Sequence, residues 1–279
     1  MQYYLVSDFF LDEIPGGAES SDDALIKRLA KHNINLKKIK ALQVTEVDPK
    51  AFYILSNRTS INKNASDQFC EYKNYITIEH DYQFLKHRNP YNEGVDYVGI
   101  DLYKNAKMVV LQSKFQHKFY EHMYRDNNIN PETYVMSTTI YTEEELRWIL
   151  SLSIEPVIQM DKAAVPAFAH PLKGRDFSIR FCKNNAIDYD VIPYMERDKF
   201  LKTLRRYNKI VFFPLTPETH CRFAVECRIL GLQMVTLGYG ATTEPWFELS
   251  GKQLVETLDT LCVKHTAYIA NKIKEFTNA

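Results

Sequence analysis

Apolar, β-rich runs alternate with helical patterns along nearly the whole chain. In the first half, the apolar runs predict strands at Tyr3–Val6, Ile39–Val47, Ala51–Leu55, Tyr75–Ile78 and Lys107–Leu111. Helices are predicted after the capping-box-like Ser20–Asp23, near Gln116–Tyr124, and from Thr142 to about Leu150. Alternation at this spacing favours parallel sheets with crossover helices.

A second round of the same alternation follows Leu152–Lys162, which contains Pro156 and is the predicted domain junction. Strands are predicted at Ala163–Phe168, Tyr189–Ile192, Ile210–Phe213 and Gln233–Leu237, and helices at Gly174–Asn184, Arg197–Tyr207, Phe223–Leu230 and Lys252–Phe276. The pattern predicts an α/β protein of two Rossmann-like domains, residues 1–152 and 153–279. In such a protein we expect a ligand cleft at the strand ends.

Composition narrows the class of protein. The 35 Lys and Arg balance the 35 Asp and Glu, so there is no general nucleic-acid signature. No apolar run reaches 18 residues and the N-terminus does not resemble a signal peptide, so we expect no membrane span. The five cysteines form no C-x-x-C pair, which favours reduced thiols in a cytoplasmic protein. No cluster of His, Cys and carboxylates has zinc spacing.

The segment Pro217–Glu226 is the strongest candidate for chemistry. It follows the apolar run Ile210–Leu215, and its carboxylates, Glu218 and Glu226, bracket a predicted strand-end loop and the first turns of a helix. A helix N-terminus in this position offers N–H groups and a positive dipole end to a phosphate. The alternative is that Glu218 merely favours the first turn and that Glu226 pairs with Arg222 at i,i+4.

Several motifs then occur in a recognisable order. Val211–Pro214, Glu218, seven residues, Glu226 and Gly231 resemble the C-terminal signature of retaining GT-B glycosyltransferases of family 4. Gly16–Glu19 after the first strand resembles the N-terminal glycine loop of that family. Lys107–Ser113 resembles its strand that ends in Ser, and Lys173–Gly174 stands where the family has a phosphate-binding lysine. Gly240–Phe247 has the position of the loop that faces the donor in the family, but its sequence differs from the common pattern and resembles a compact branch associated with tailed phages.

The resemblance implies a GT-B fold, with parallel sheets facing a central cleft and a C-terminal helix that packs back. It also implies a nucleotide-sugar donor, expected to be UDP-linked, and hexosyl or pentosyl transfer with retention, without a metal or other cofactor. Lys173 would hold the diphosphate, Glu218 the sugar hydroxyls and Glu226 the ribose. The implied site residues are Glu218 and His80 for catalysis, Gly17, Lys173, Cys221, Arg222, Phe223 and Glu226 for the donor, and Asp81 and Arg88 for the acceptor.

Each motif also has an ordinary structural interpretation. The Gly16–Gly17 pair suits a plain turn, His80 suits a structural histidine, and Lys86–Pro90 suits a surface loop. The family's arginine before the lysine is missing, and either Arg175 or His170 would replace it. Asp188–Tyr189–Asp190 spells a D-x-D metal motif, which we interpret as incidental, and Trp246 is expected to pack rather than to stack on a base.

The acceptor stays open between a glycan and 5-hydroxymethylcytosine in DNA. We expect the protein itself to be cytoplasmic, in the host cytoplasm if it is phage-encoded. For DNA, a local basic patch would come from the cluster Lys199, Lys202, Arg205, Arg206 and Lys209 together with the Lys86–Arg88 stretch. A non-catalytic nucleotide-sugar-binding module is a further alternative, against which the paired glutamates argue. A nicotinamide enzyme is disfavoured because the first loop lacks G-x-G-x-x-G.

Overall fold

The computed structural model describes residues 1–91 and 96–278, and the chain folds into two compact units. Unit 1 comprises Met1–Thr142 and Asp259–Ala279, and unit 2 comprises Glu143–Leu258. The domain boundary predicted at residue 152 falls inside the first helix of unit 2. The last helix of the chain begins in unit 2 and continues into unit 1.

Unit 1 contains a parallel sheet whose strands alternate with helices. Its strands are β1 (Tyr3–Ser7), β2 (Leu36–Lys40), β3 (Phe52–Leu55), β4 (Tyr75–Glu79), β5 (Val109–Leu111) and β6 (Thr133–Val135). Across the described residues their spatial order is β2-β1-β3-β4-β5-β6, with every pairing parallel. Its helices before residue 143 are α1 (Gly17–Ala30), α2 (Lys63–Tyr72), α3 (Ile100–Asn105) and α4 (Lys114–Asp126).

Unit 2 contains a smaller parallel sheet. Its helices are α5 (Glu143–Ile154), α6 (Arg175–Asn184), α7 (Arg197–Leu204), α8 (Arg222–Ile229) and the beginning of α9 (Gly251–Asn278). Its strands are β7 (Met160–Ala167), β8 (Tyr189–Pro193), β9 (Tyr207–Val211) and β10 (Gln233–Val235). Over the described part of the chain the order is β10-β9-β7-β8, again parallel throughout.

The sheet of unit 1 is covered on both faces. Leu5 and Ile54 belong to a buried cluster with residues of α1, whereas their chain neighbours Val6 and Leu55 belong to a second cluster with Phe69 of α2. Three residues of α9 complete the first cluster: Ile269, Ala270 and Ile273. Burial on both faces explains why these strands are continuous apolar runs in the sequence. The predicted packing of the C-terminal helix is confirmed.

The strand order of unit 2 determines where a site can form. Strands β8 and β10 lie on opposite sides of the β7–β9 pair, so the connections leaving β7 and β9 run in opposite directions. Ligands of open α/β sheets bind at such a switch point, beyond the carboxyl ends of the strands. The segments that follow β7 and β9 contain Lys173 and Glu218 respectively.

Two predicted elements of unit 1 are wrong in position. The strand predicted at Ile39–Val47 is β2, which ends at Lys40 and is followed by a 3₁₀ turn at Ala41–Gln43. The signal was weak because β2 is an edge strand, where lysines interrupt the apolar pattern. Ser20–Asp23 does not cap α1 but lies within it, since the helix begins at Gly17 with Gly16 as its N-cap.

Other differences concern short or polar elements. The sequence patterns did not predict α2, α3 or the short edge strand β6. The predicted helix from Arg197 ends at Leu204, and Tyr207 begins β9 instead. Over residues 1–91 and 96–278, no helix combines the length and the hydrophobicity that a transmembrane span requires. The five cysteines are free thiols.

A close backbone approach in unit 2 generates a stability prediction. Gly174 has a left-handed backbone (φ +67°), and a Cβ there would lie 1.8 Å from the carbonyl oxygen of Phe213. We expect Gly174→Ala to lower the free energy of unfolding by about 3 kcal/mol, because strain adds to a clash between two loops. Chemical denaturation measures the loss.

Gly231→Ala is the matched control. Gly231 also has a positive φ (+78°), but no described atom lies within 4 Å of the Cβ position. Its substitution therefore tests backbone strain alone, at about 1 kcal/mol. Equal losses in the two variants would contradict the close approach at Gly174.

Candidate functional site

Lys173 and Glu218 meet at the switch point of unit 2. Lys173 ends a 3₁₀ turn after β7, and Glu218 lies in the loop that follows β9. Lys173 Nζ lies 2.7 Å from Glu218 Oε1. Burial alone would lower the pKa of Lys173, but the Glu218 carboxylate outweighs it and raises the pKa. The lysine is therefore a stable cation at neutral pH.

The two loops that contain this pair are joined by their backbones. The Leu215 N–H donates to the carbonyl oxygen of Leu172 over 2.8 Å. Gly174 packs against the carbonyl of Phe213, whose N–H donates to Ser178 Oγ over 3.0 Å. These backbone contacts hold the two loops together, and so they keep Lys173 within reach of Glu218.

The start of α8 is close to the same pair. Cys221 is the N-cap residue, with a left-handed backbone (φ +69°). Burial raises the pKa of its thiol, and the nearby Glu218 raises it further, so the thiol stays neutral. The first N–H groups of a helix have no acceptor within the helix. The predicted donor residues Arg222 and Phe223 are the first two residues of α8.

Phe223 also belongs to an aromatic cluster at the carboxyl edge of the unit 2 sheet. Its ring centroid lies 5.2 Å from that of Phe168 and 5.3 Å from that of Phe212. Phe200 contacts the same cluster. The side chain of Phe223 is therefore a packing element, and its backbone is the part that would serve a ligand.

Glu226 is held by residues from two other helices. Its Oε1 accepts a hydrogen bond from Nη2 of Arg197, at 2.6 Å, at the start of α7. The same guanidinium lies 2.7 Å from Glu145 Oε1 in α5, which also accepts from Arg222 at 2.5 Å. Arg222 therefore bonds with Glu145, and Glu226 bonds with Arg197.

Glu145 is the central anion of this group. Burial alone would raise its pKa, but Arg222 and Arg197 outweigh burial and lower the pKa. Sequence reasoning missed Glu145 and Arg197 as site residues, because neither lies near Glu226 in the chain. Charged residues in the first turn of a helix are common, so no local signal marked either of them.

A short segment after β10 supports the Glu218 loop from behind. Gly240 (φ +49°) packs on the Thr219–His220 peptide, and the Ala241 N–H donates to the carbonyl oxygen of His220 over 2.8 Å. Trp246 is buried, with its ring 6.1 Å from that of His220. The expectation that Trp246 packs is confirmed.

In unit 1, protein groups surround His80. Its Nε2 lies 2.9 Å from Asp22 Oδ1, and its Nδ1 contacts the side-chain amide of Gln112. Asp22 also accepts from Ser56 Oγ at 2.7 Å, and the His80 side chain is 4% exposed. Burial lowers the pKa of His80, but Asp22, Glu19 and Asp81 together outweigh burial, so the pKa is raised. Both ring nitrogens thus have partners within unit 1, which favours a structural role.

A buried ion pair anchors the strand end beside His80. Arg58 Nη1 lies 2.7 Å from Glu79 Oε1, and the other oxygen of Glu79 accepts from the hydroxyls of Tyr103 and Tyr120. Asp81, predicted on the acceptor side, pairs with Arg88. Burial raises the pKa of Asp81 in spite of that pair. The two predicted acceptor residues are therefore brought together.

The Gly16–Gly17 pair forms the N-terminus of α1. Gly16 has φ −96° and Gly17 is the first helical residue, so neither uses a left-handed backbone. A Cβ at Gly16 would lie 2.0 Å from Glu19 Oε2. The glycine therefore makes room for the Glu19 carboxyl, whose pKa is raised by burial.

Arg175 and His170, the two predicted replacements for the missing arginine, both contact neighbouring protein groups. Arg175 Nε lies 2.9 Å from the neighbouring Asp176 on the surface. His170 Nδ1 accepts from the Leu172 N–H at 3.2 Å and caps the 3₁₀ turn that contains Lys173. His170 thus shapes the lysine turn.

Several charged residues of the predicted DNA patch and of the D-x-D motif form ion pairs within unit 2. Arg205 is buried and bonds to Glu155, and Lys202 pairs with Asp198, so the predicted basic patch loses two of its members. Lys162 lies 3.6 Å from Asp188 and 3.3 Å from Asp190, at the amino ends of β7 and β8. The D-x-D motif is thus at the edge opposite Lys173. Among the described residues no group of three or more His, Cys, Asp or Glu is arranged to hold a metal ion.

The central position of Glu145 is testable by titration of stability. We expect Glu145→Gln to lower the free energy of unfolding by about 2 kcal/mol at pH 7, because two guanidinium groups lose their shared anion. The folded-state pKa of Glu145 lies below its usual 4.5, so its contribution is complete above that value and is lost as pH falls. The difference from wild type should shrink on acidification.

Glu143→Gln is the control, since Glu143 pairs with the exposed Arg147 in the same helix. We expect that variant to lie within about 0.5 kcal/mol of wild type. Denaturant titrations at several pH values measure both. An equal loss in both variants, or a pH-independent loss for Glu145→Gln, would contradict the central role.

Comparisons with known proteins bear on the fold. No protein-family profile matches the chain, and no curated protein is similar to it in sequence. A structure described as trehalose-6-phosphate from E. coli bound with UDP-2-fluoro glucose matches with a TM-score of 0.58 and 9% identity, over 99% of this chain and 96% of that chain. A structure of trehalose-6-phosphate synthase, OtsA, matches at 0.57 and 8%, with 99% and 96% covered.

The HepE protein of Anabaena, in complex with UDP and glucose, is 13% identical over 99% of this chain and 94% of that chain. Its TM-score is 0.49, so this likeness does not contribute to the fold assignment. The two stronger likenesses, together with two parallel α/β sheets and the packed C-terminal helix, establish the architecture. The chain has the GT-B fold that its motifs predicted.

Proposed function

We propose that this protein is a glycosyltransferase that moves a sugar from a nucleotide-diphosphate sugar, expected to be UDP-linked, to an acceptor hydroxyl. The observation that carries the proposal is the meeting of Lys173 and Glu218 at the switch point of unit 2, beside the start of α8. A cation, a carboxylate and a helix N-terminus together suit a diphosphate attached to a sugar. UDP is inferred from the UDP-sugar bound to a protein of the same fold.

The chemistry asks the site to stabilise a leaving diphosphate. The bond between the anomeric carbon and the β-phosphate oxygen breaks, and UDP leaves with the electron pair. The acceptor oxygen bonds to the same carbon, and its proton passes to the leaving phosphate. Lys173 and the first N–H groups of α8 would stabilise the growing negative charge. Glu218 would bind the sugar hydroxyls next to the reacting carbon, and no protein base is required.

Glu226 would bind the ribose hydroxyls. A carboxylate suits two adjacent hydroxyls because it offers acceptor positions on both oxygens. Arg197 holds one of these oxygens at 2.6 Å and is itself held by Glu145, which fixes the direction of the carboxylate. Because the Glu226 carboxylate is already ordered before the donor binds, less conformational entropy is lost on binding.

The paired Asp81 and Arg88 of unit 1 are our candidates for contact with the acceptor. His80 would orient the adjoining strand end through Asp22, in place of direct contact with the donor. On the resemblance of its motifs, we place the protein with the retaining enzymes of family 4, in a compact phage-type branch. We expect retention and no metal. The buried Arg205 and paired Lys202 do not favour duplex DNA as the acceptor.

The test offers several nucleotide sugars to the enzyme, with glycans and with hydroxymethylated DNA, and follows release of the nucleoside diphosphate and product mass. We expect Glu226→Ala to raise the donor KM at least about tenfold with a smaller change in kcat, because it removes ribose binding. We expect Glu218→Ala to lower kcat about a hundredfold, because its contacts lie at the reacting sugar.

Asp188→Asn serves as the control for a lost carboxylate, since Asp188 lies at the opposite edge of the unit 2 sheet. It should behave as wild type. Near-normal turnover in both glutamate variants would overturn the assignment of roles. Absence of nucleoside diphosphate release from every donor would overturn the proposed activity.

A further inference from the structure

The cation proposed for the diphosphate is already bound to an anion of the same unit. Lys173 Nζ and Glu218 Oε1 lie 2.7 Å apart, with the lysine side chain 39% exposed and the glutamate side chain 19% exposed. A phosphate oxygen that approaches Lys173 therefore finds the Glu218 carboxylate already in contact with the ammonium group. Two anions do not share one ammonium group without a repulsion that grows as they come together.

We propose that the donor displaces Glu218 from Lys173, so that the diphosphate takes the lysine and the freed Glu218 carboxylate takes the sugar hydroxyls. This inference rests on the proposed function and adds an exchange of partners to it. The Glu218 carboxylate occupies the position on Lys173 that a phosphate oxygen would take. On binding, each group of the pair receives a new partner from a different part of the donor.

The ion pair is able to open because it does not hold its loops together. The hydrogen bond from the Leu215 N–H to the Leu172 carbonyl, and the packing of Gly174 on Phe213, join the two loops through the backbone. The segment at Gly240 and Ala241 supports the Glu218 loop from the other side. Separating the two charged groups therefore needs a side-chain rotation, with the backbone unchanged.

The exchange distinguishes a complete donor from its nucleotide. UDP would take Lys173 but would leave the displaced carboxylate close to the phosphates without sugar hydroxyls to bind. UDP-glucose would supply hydroxyls as well as phosphates, so both groups of the pair would be satisfied. The carboxylate of Glu218 should therefore oppose UDP and assist the intact sugar nucleotide.

Calorimetric titration of wild-type protein and Glu218→Gln with UDP and with UDP-glucose tests this directly. Glutamine keeps the size of the side chain and removes its charge. We expect UDP to bind Glu218→Gln about two- to fivefold more tightly than wild type, which is the range for losing a competing, partly exposed ion pair. The ratio of UDP-glucose affinity to UDP affinity should fall in the same variant.

Two controls identify the cause. Asp188→Asn removes one carboxylate from the Lys162 pair at the opposite edge of the sheet, and it should leave the UDP affinity unchanged. Lys173→Met should weaken UDP binding, and adding Glu218→Gln to it should give no further tightening. Tightening that persists without Lys173 would be a general charge effect and would overturn the exchange.

The outcomes separate this inference from the function beneath it. If wild-type protein binds neither ligand at millimolar concentration, the proposed function fails. If wild type binds UDP and Glu218→Gln binds it equally or more weakly, the exchange fails while the function stands. A fall of more than about 5 °C in the Tm of Glu218→Gln would mark the pair as a structural clamp and also overturn the exchange. Should that variant not fold, Glu218→Asp, with a shorter reach, must show tightening of the same sign.

Discussion

The ion pair between Lys173 and Glu218 is the interaction on which the proposed site depends. It exists because the strand order of unit 2 places the ends of β7 and β9 next to each other while the chain leaves them in opposite directions. Gly174 lets the two loops approach to a distance that a side chain would prevent. A lysine and a glutamate far apart in the sequence thereby become neighbours, in the position where open α/β sheets bind ligands.

Charges in this part of unit 2 are matched within the protein. Glu145 lies between Arg197 and Arg222, and Arg197 in turn holds Glu226. Such an arrangement keeps partly buried charges from being left without partners, which would be costly. A charged ligand that binds here would therefore replace existing ion pairs of the protein with new ones. The affinity for a nucleotide would then report a difference between two sets of ion pairs.

The sequence predicted the fold class, most strands and the order of the motifs, because parallel strands buried on both faces are continuous apolar runs. It predicted that Glu218 and Lys173 belong to one site through the resemblance of their motifs. It missed α2, the edge strand β6 and the start of α1, where polar residues or a short length weaken the periodic signal. Glu145, Arg197 and Asp22 were missed because their importance arises from tertiary contacts, and a charged residue in a helix carries no local mark of its partner.

A crystal structure of the protein with UDP bound tests the central claim most directly. The exchange predicts a phosphate oxygen within hydrogen-bonding distance of Lys173 Nζ, at about 2.8 Å, and a Glu218 carboxylate turned away from it. Glu226 should contact the ribose while it keeps its bond to Arg197. A nucleotide bound elsewhere, or one bound beside a Lys173–Glu218 pair that remains closed, would contradict it.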